Sequence, residues 1–209
     1  MRVSDTREDM LEHLRRLGIR DARVLAAMAE VPREEFVRSA DHDVAYGDHA
    51  LPIGEGQTIS QPYVVARMTE LLDVRPEHHV LEVGTGSGYQ AAVLSRLARD
   101  VVSVERHRAL ADQAREVLAR LGYDNVRVVH DDASLGHPPA APYDRVIVTA
   151  ASPGIDPALA AQLAPGGLIV APIGDEEMQE LIVRDARGNE RRHGAVRFVP
   201  LRGRAGFAP

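Results

Sequence analysis

Apolar residues recur at helical spacing in the first part of the chain: Leu11, Leu14 and Leu17, then Val24, Leu25 and Met28. A period of three to four places such positions on one helix face, so residues 1–45 read as helical, broken at Gly18 and closed at Pro32. Residues 46–62 lose the period and gather turn formers (Gly47, Pro52, Gly54, Gly56, Pro62), although Tyr46, Leu51 and Ile53 keep apolar weight. That combination predicts a structured loop. A helix starts at Pro62, carries Val64, Val65, Met68, Leu71 and Leu72 along one face, and ends before Pro76. Short apolar runs then alternate with amphipathic segments. Strands are predicted at His79–Val83, Val101–Val104, Val126–Val129, Arg145–Thr149 and Gly167–Ala171. Helices are predicted at Tyr89–Leu97, Arg108–Leu121 (ended by Gly122) and Pro157–Leu163. This alternation implies an α/β fold built on a doubly wound, mostly parallel sheet. Met178–Asp185 and Ala195–Val199, joined by the turn formers Arg187-Gly188-Asn189, add an antiparallel strand pair at the sheet edge. No internal repeat is visible. The expectation is one domain over 1–209: helices and loop (1–62), an α/β core (63–175) and terminal strands (176–209).

Composition narrows the function classes. The chain has 209 residues, 44% apolar and 27% charged, with no cysteine and a net charge of −6. Without cysteine there is no disulfide scaffold and no thiolate metal site. No apolar run approaches the ~18–20 residues that cross a bilayer, and Met1 to Met10 carries charges where a signal peptide would be apolar. A cytoplasmic protein without a membrane role is the expectation. The acidic balance argues against nucleic acid as a partner, for which a basic face is the usual footprint. All 25 basic residues are arginine, which excludes lysine Schiff-base chemistry. The nine histidines are scattered, with no paired spacing on a helix, so no metal site is expected.

The segment Val80-Leu81-Glu82-Val83-Gly84-Thr85-Gly86-Ser87-Gly88 carries the chemistry. A buried strand runs into three alternating glycines and then a helix. Glycine lets the backbone approach a ligand closely and tolerates positive φ in the turn. A dinucleotide fingerprint would need glycine at position 89, where this chain has Tyr89. The pattern E-x-G-x-G-x-G instead places a carboxylate, Glu82, beside a ligand that has a cationic end and no pyrophosphate. S-adenosylmethionine is such a ligand. Thr85 and Ser87 lie within the same turn. Glu105, at the end of the second predicted core strand and next to Arg106, is the candidate for the ribose hydroxyls. Asp131, after the third, is the better candidate for the adenine amino group, and Asp132 beside it can offer a backbone N–H to the adenine.

Taken with two further motifs, the chain resembles the protein-L-isoaspartate (D-aspartate) O-methyltransferase family. The resemblance is carried by Gly56-Gln57-Thr58-Ile59-Ser60-Gln61-Pro62, by Leu81 to Gln90, by Tyr143 to Ala151, by Leu163-Ala164-Pro165-Gly166-Gly167 and by Val196-Arg197-Phe198-Val199-Pro200-Leu201. It implies a Rossmann-like methyltransferase fold. It also implies methyl transfer from S-adenosylmethionine to the α-carboxylate of L-isoaspartyl, and possibly D-aspartyl, residues in damaged proteins. The ester then closes to a succinimide. Ser60 stands at the family's catalytic serine; Thr58, Gln61, Val199, Pro200 and Leu201 stand at substrate-binding positions. A monomer acting on isoaspartyl proteins and peptides is expected, with no metal. One departure is clear: Asp132 occupies a position where the family usually has glycine, so its side chain must turn away from the adenine. Alternatives are a same-fold enzyme with another acceptor, such as aspartate in a natural-product precursor peptide or a tRNA adenine, and a degenerate domain kept for binding.

Overall fold

A computed structural model describes residues 6–208. Helices α1 (Arg7–Arg16) and α2 (Ala22–Glu30) open the chain, as the period predicts. Thr6 and Asp21 cap them, each side chain accepting a backbone N–H two or three residues on. Leu17 departs from the predicted stripe. It is 44% exposed because α1 ends one residue earlier, and Ile19, 1% exposed, takes its place in the core. Residues 33–36 and 39–44 form short 3₁₀ turns rather than a continuing helix, since Pro32 stops α2.

The segment expected to be a loop contains a hairpin. Strand β1 (Leu51–Gly54) pairs antiparallel with β2 (Gln57–Ile59), Leu51 facing Ile59 and Pro52 facing Thr58. Glu55 and Gly56 both have positive φ, 51° and 69°, the condition of a tight turn whose twist suits a hairpin. Leu51, Ile53 and Ile59 point into the core, so the alternation is real but too short to read through the surrounding prolines and glycines.

Helix α3 (Pro62–Leu72) leads to the sheet strands β3 (His79–Val83), β4 (Asp100–Glu105), β5 (Val126–His130), β6 (Tyr143–Val148), β7 (Leu163–Gly174), β8 (Gln179–Asp185) and β9 (Glu190–Val196). Their spatial order is β5-β4-β3-β6-β7-β8-β9. The first five are mutually parallel; β8 and β9 run antiparallel at one end. Helices α4 (Tyr89–Ser95), α5 (Arg108–Arg120) and α6 (Pro157–Ala160) connect them. The last helix is shorter than predicted because Leu163 already begins β7. The last strand starts earlier than predicted, at Glu190, and ends at Val196. The predicted turn is there, Asp185 N–H bonding Asn189 O and Gly188 at φ 89°.

Both sheet faces are covered. Leu81, Val83, Val102, Val104, Val146 and Val148 face one cluster. Val80, Val101, Ile147 and Val170 face the other, with α3. A third cluster joins α1, α2 and the hairpin to α4 and α5. Two-sided burial explains why these strands read as continuous apolar runs. After β5 the chain crosses to the other side of β3, so the ends of β3 and β6 flank the point where strand order reverses. Open α/β sheets bind ligands at that crevice.

Candidate active site

The C-terminal ends of β3 and β6 open into a cleft. The glycine loop forms its floor. Gly84 has φ +98°, and a Cβ there would lie 2.5 Å from Thr149 Oγ1. That hydroxyl donates to Val83 O (2.9 Å) and Gly84 O (2.6 Å), closing the gap between the two strand ends. Gly86, at φ +52°, lines the cleft. Gly88 serves differently: it starts α4, and a Cβ there would touch Ala114 and Leu118 at 3.4 Å, so its role is helix packing.

Two carboxylates face the cleft. Glu82 is fully buried, and its Oε2 accepts from the Ser103 hydroxyl. The Thr85 hydroxyl in turn lies 2.5 Å from Ser103 Oγ, while Glu82 Oε1 has no partner. Burial pushes its pKa up to about 8; the Ser103 hydrogen bond pulls it back in part, and the Glu105 charge adds to the rise. An unpartnered buried carboxyl oxygen at a ligand cleft fits a cationic guest. Glu105 is held from both sides, Oε2 accepting from Gly86 N (2.9 Å) and Oε1 from His107 N (2.8 Å). It lines both the main cleft and an adjoining cavity, where Arg106, Pro200 and Leu201 also lie.

Ser60 lines the same cleft. A serine ahead of a helix is ordinarily read as a cap, but α3 starts from Gln61, and it is Asp48 that accepts the Tyr63 N–H at 2.8 Å. Among the described residues the Ser60 hydroxyl makes no hydrogen bond, which leaves it available to a ligand. Its carbonyl accepts from the Arg33 guanidinium at 2.8 Å. Ser60 also lines a neighbouring groove with Thr58, Gln61, Val199 and Arg197.

The structure therefore brings together Thr58, Ser60, Gln61, Glu82, Gly84, Thr85, Gly86, Ser87, Glu105 and Val199, with Arg106, Pro200 and Leu201 next door. Asp131 and Asp132 line none of these cavities. Asp131 Oδ1 accepts from Asp132 N at 2.8 Å. The Asp132 carboxylate turns away, accepting from Ser134 N and Oγ and from Arg204 N, so that it anchors the C-terminal segment. Burial raises the pKa of Asp132, but these hydrogen bonds outweigh it and hold the group below the usual carboxylate range. Val199 to Leu201 are not open backbone either. Ala151 N–H bonds Val199 O (2.8 Å), Leu201 N–H bonds Ala151 O (2.7 Å), and Phe207 N–H bonds Leu201 O (2.8 Å).

Sequence reading missed Arg33, Thr149 and Arg197. Thr149 was legible as the residue just past β6; Arg197 lay within the quoted V-R-F-V-P-L motif, where its charge went unused. Arg33 carried no signal beyond following Pro32.

The comparisons with known proteins agree with this geometry. Residues 5–206 match the family described as Protein-L-isoaspartate(D-aspartate) O-methyltransferase (PCMT). A protein-L-isoaspartate O-methyltransferase of Methanoculleus marisnigri is 54% identical over 205 residues, covering 96% of this chain and 93% of that protein. One from Methanopyrus kandleri is 52% identical over 210 residues, with the same coverage of 96% and 93%. A solved protein-L-isoaspartate O-methyltransferase superposes with a TM-score of 0.86 at 32% identity, over 96% of this chain and 67% of that one. A putative Plasmodium falciparum relative, solved in complex with S-adenosyl-L-homocysteine, gives a TM-score of 0.80 at 24% identity over 97% of this chain and 99% of that one, and speaks for the fold. With the family match spanning nearly all of the chain, this protein belongs to the protein-L-isoaspartate (D-aspartate) O-methyltransferase family.

Proposed function

We propose that this protein transfers a methyl group from S-adenosylmethionine to the α-carboxylate of L-isoaspartyl residues in damaged proteins, beginning their repair. It does so as a single domain, on protein substrates, as a cytoplasmic monomer, with no need of nucleic acid, membrane or metal. The observation that carries the reading is that Ser60, whose hydroxyl has no capping role, lines the same cleft as the glycine loop and Glu82.

The cleft suits the cofactor. Glu105 offers acceptors to its ribose, Glu82 would give up its proton and become charged beside the cationic end, and Gly84 and Gly86 let it approach the strand end. When bound, S-adenosylmethionine supplies an electrophilic methyl on a sulfonium. The acceptor carboxylate, with a pKa near ~4, is ionised at neutral pH, so no residue has to remove a proton. What the chain contributes is alignment and exclusion of water. Ser60 donates its hydroxyl proton as a hydrogen bond to one carboxylate oxygen, leaving the other directed at the methyl. A cofactor held by the glycine loop, Glu82 and Glu105 would give its methyl to that oxygen and keep the carbon–sulfur electron pair, leaving as S-adenosylhomocysteine. Arg197, the basic residue of the groove beside Ser60, offsets the carboxylate charge inside an acidic protein. Because the backbone of Val199–Leu201 is already paired to Ala151, Val199 shapes the groove through its side chain, Pro200 and Leu201 shape the adjoining cavity, and peptide recognition rests on Thr58, Gln61 and Arg197.

The test uses paired peptides that differ only in isoaspartate versus aspartate, with labelled cofactor. Methyl incorporation into the isoaspartyl peptide alone is expected. Equal labelling of both, or labelling of neither while S-adenosylhomocysteine still binds, overturns the reading.

A further inference from the structure

Arg33 is the anomaly in this molecule. Its side chain is 0% exposed, yet among the described residues no carboxylate lies within ion-pair distance. A buried charge is ordinarily paired with an opposite one, because taking it out of water is expensive. Here the guanidinium is held instead by dipoles and by a ring. Nε donates to Ala45 O at 2.7 Å, and one terminal nitrogen, Nη2, donates to Ser60 O at 2.8 Å. The plane lies over the Tyr89 ring, 4.8 Å from its centroid, and the remaining terminal nitrogen, Nη1, has no hydrogen-bond partner. Three segments distant in sequence therefore meet at one side chain.

The two ends of this link matter. Ser60 carries the hydroxyl that faces the acceptor. Tyr89 is the first residue of α4, and Gly88 before it is the last glycine of the cofactor loop. Arg33 thus spans from the backbone of the acceptor-side wall to the helix that anchors the donor-side wall. Its fork of N–H groups fixes a carbonyl in direction as well as distance, which a lysine ammonium does not. Methyl transfer depends on collinear placement of oxygen, carbon and sulfur, and a misplacement of about 1 Å costs about 100-fold in rate.

We propose that Arg33 is a positioning residue, registering the Ser60 hydroxyl against the cofactor loop through the Ser60 carbonyl and the Tyr89 ring. This deepens the repair reading above and rests on it. It touches neither substrate nor cofactor; it acts through Ser60.

The test compares wild type, Arg33→Met, which keeps length and removes charge and fork, and Arg33→Lys, which keeps the charge and loses the fork. Three quantities are measured: kcat and KM on the isoaspartyl peptide, the S-adenosylhomocysteine dissociation constant by calorimetry, and folding by circular dichroism. Arg33→Met is expected to lower kcat about 10- to 100-fold with the S-adenosylhomocysteine dissociation constant within about 3-fold of wild type. Arg33→Lys is expected in between, since an ammonium still reaches one carbonyl and still stacks on Tyr89. If Arg33→Met does not fold, Arg33→Lys alone decides by the same split. A folded variant with wild-type kcat, or one that loses cofactor affinity as steeply as turnover, overturns the proposal, as does failure of both variants to fold. A wild type that binds S-adenosylhomocysteine but methylates neither peptide overturns the repair reading itself, a result visible before any variant is made.

Discussion

Replacing Glu82 by glutamine isolates the effect of one buried acid. The carboxyl is 0% exposed, and its pKa rises from the ordinary 4.5 to about 8, mainly through burial. The folded protein therefore holds a proton that the unfolded chain has released at any pH between those two values. Its contribution to stability is fully present below about pH 4.5 and is lost as pH rises towards 8. At roughly 1.4 kcal/mol per pH unit, the loss reaches a ceiling of about 5 kcal/mol by pH 9, and relaxation around the site reduces what is realised. The amide that replaces the carboxyl keeps an acceptor for Ser103 and has nothing to titrate. Glu82→Gln should thus melt close to wild type at pH 5 and higher at pH 9; a realised difference of about 2 kcal/mol corresponds to roughly 4–8 °C in a chain of this size. Scanning calorimetry at both pH values, with the difference between the two proteins taken at each, removes the contribution of every other group. The same proton governs ligand binding: a cation beside Glu82 favours the ionised form, so S-adenosylmethionine affinity should climb with pH up to about 8 in wild type and stay flat in the variant. Parallel pH dependence of melting in the two proteins, or an affinity in wild type that does not change with pH, would refute the reasoning.

Other outcomes follow from the geometry. Ser60→Ala should lower turnover about 10- to 100-fold while cofactor affinity, measured by calorimetry, stays near wild type; equal loss in both makes Ser60 a structural residue. Arg197→Glu, which places a second negative charge against the acceptor, should raise KM for isoaspartyl peptides about 10-fold and leave the S-adenosylhomocysteine dissociation constant unchanged. Gly84→Ala should destabilise by at least about 2 kcal/mol in denaturant melts, because φ is +98° and the new Cβ would meet Thr149 Oγ1 at 2.5 Å. Asp132→Ala should release the C-terminal segment at a cost of about 1–3 kcal/mol near neutral pH. Because the folded-state pKa of Asp132 is depressed, wild type loses that advantage as pH falls below about 4, and melting curves of the two proteins should converge there.

Much of the fold was legible because its signals are local. Strands buried on both faces read as apolar runs whatever surrounds them, His79–Val83 with its observed bounds and Arg145–Thr149 within two residues of the observed Tyr143–Val148, and the glycine spacing after β3 separates this loop from a dinucleotide fingerprint. The hairpin at 51–59 was not legible: four residues and three, one of them proline, are too few for a period to stand out. Ser60, Glu82 and Glu105 were found by motif, and the topology makes them neighbours. Asp132 turns its side chain away, as a residue standing in place of glycine must, but its partners were not legible: they are Ser134 and Arg204, the latter 72 residues on. Arg33 was invisible for the same reason: its partners at 45, 60 and 89 belong to three other segments.

The strand that returns after β9 bears on how the enzyme comes into being. Phe198 and Val199 wall the main cleft, Pro200 and Leu201 the adjoining cavity, and Ala151 holds them through the pairing of Val199 and Leu201. Every other wall of the cleft is drawn from residues made earlier. Chains fold from the N-terminus as they are synthesised. On the ribosome, the sheet and its glycine loop are therefore present while the site still lacks a side, and the molecule becomes competent only once the segment around residue 200 has cleared the exit tunnel.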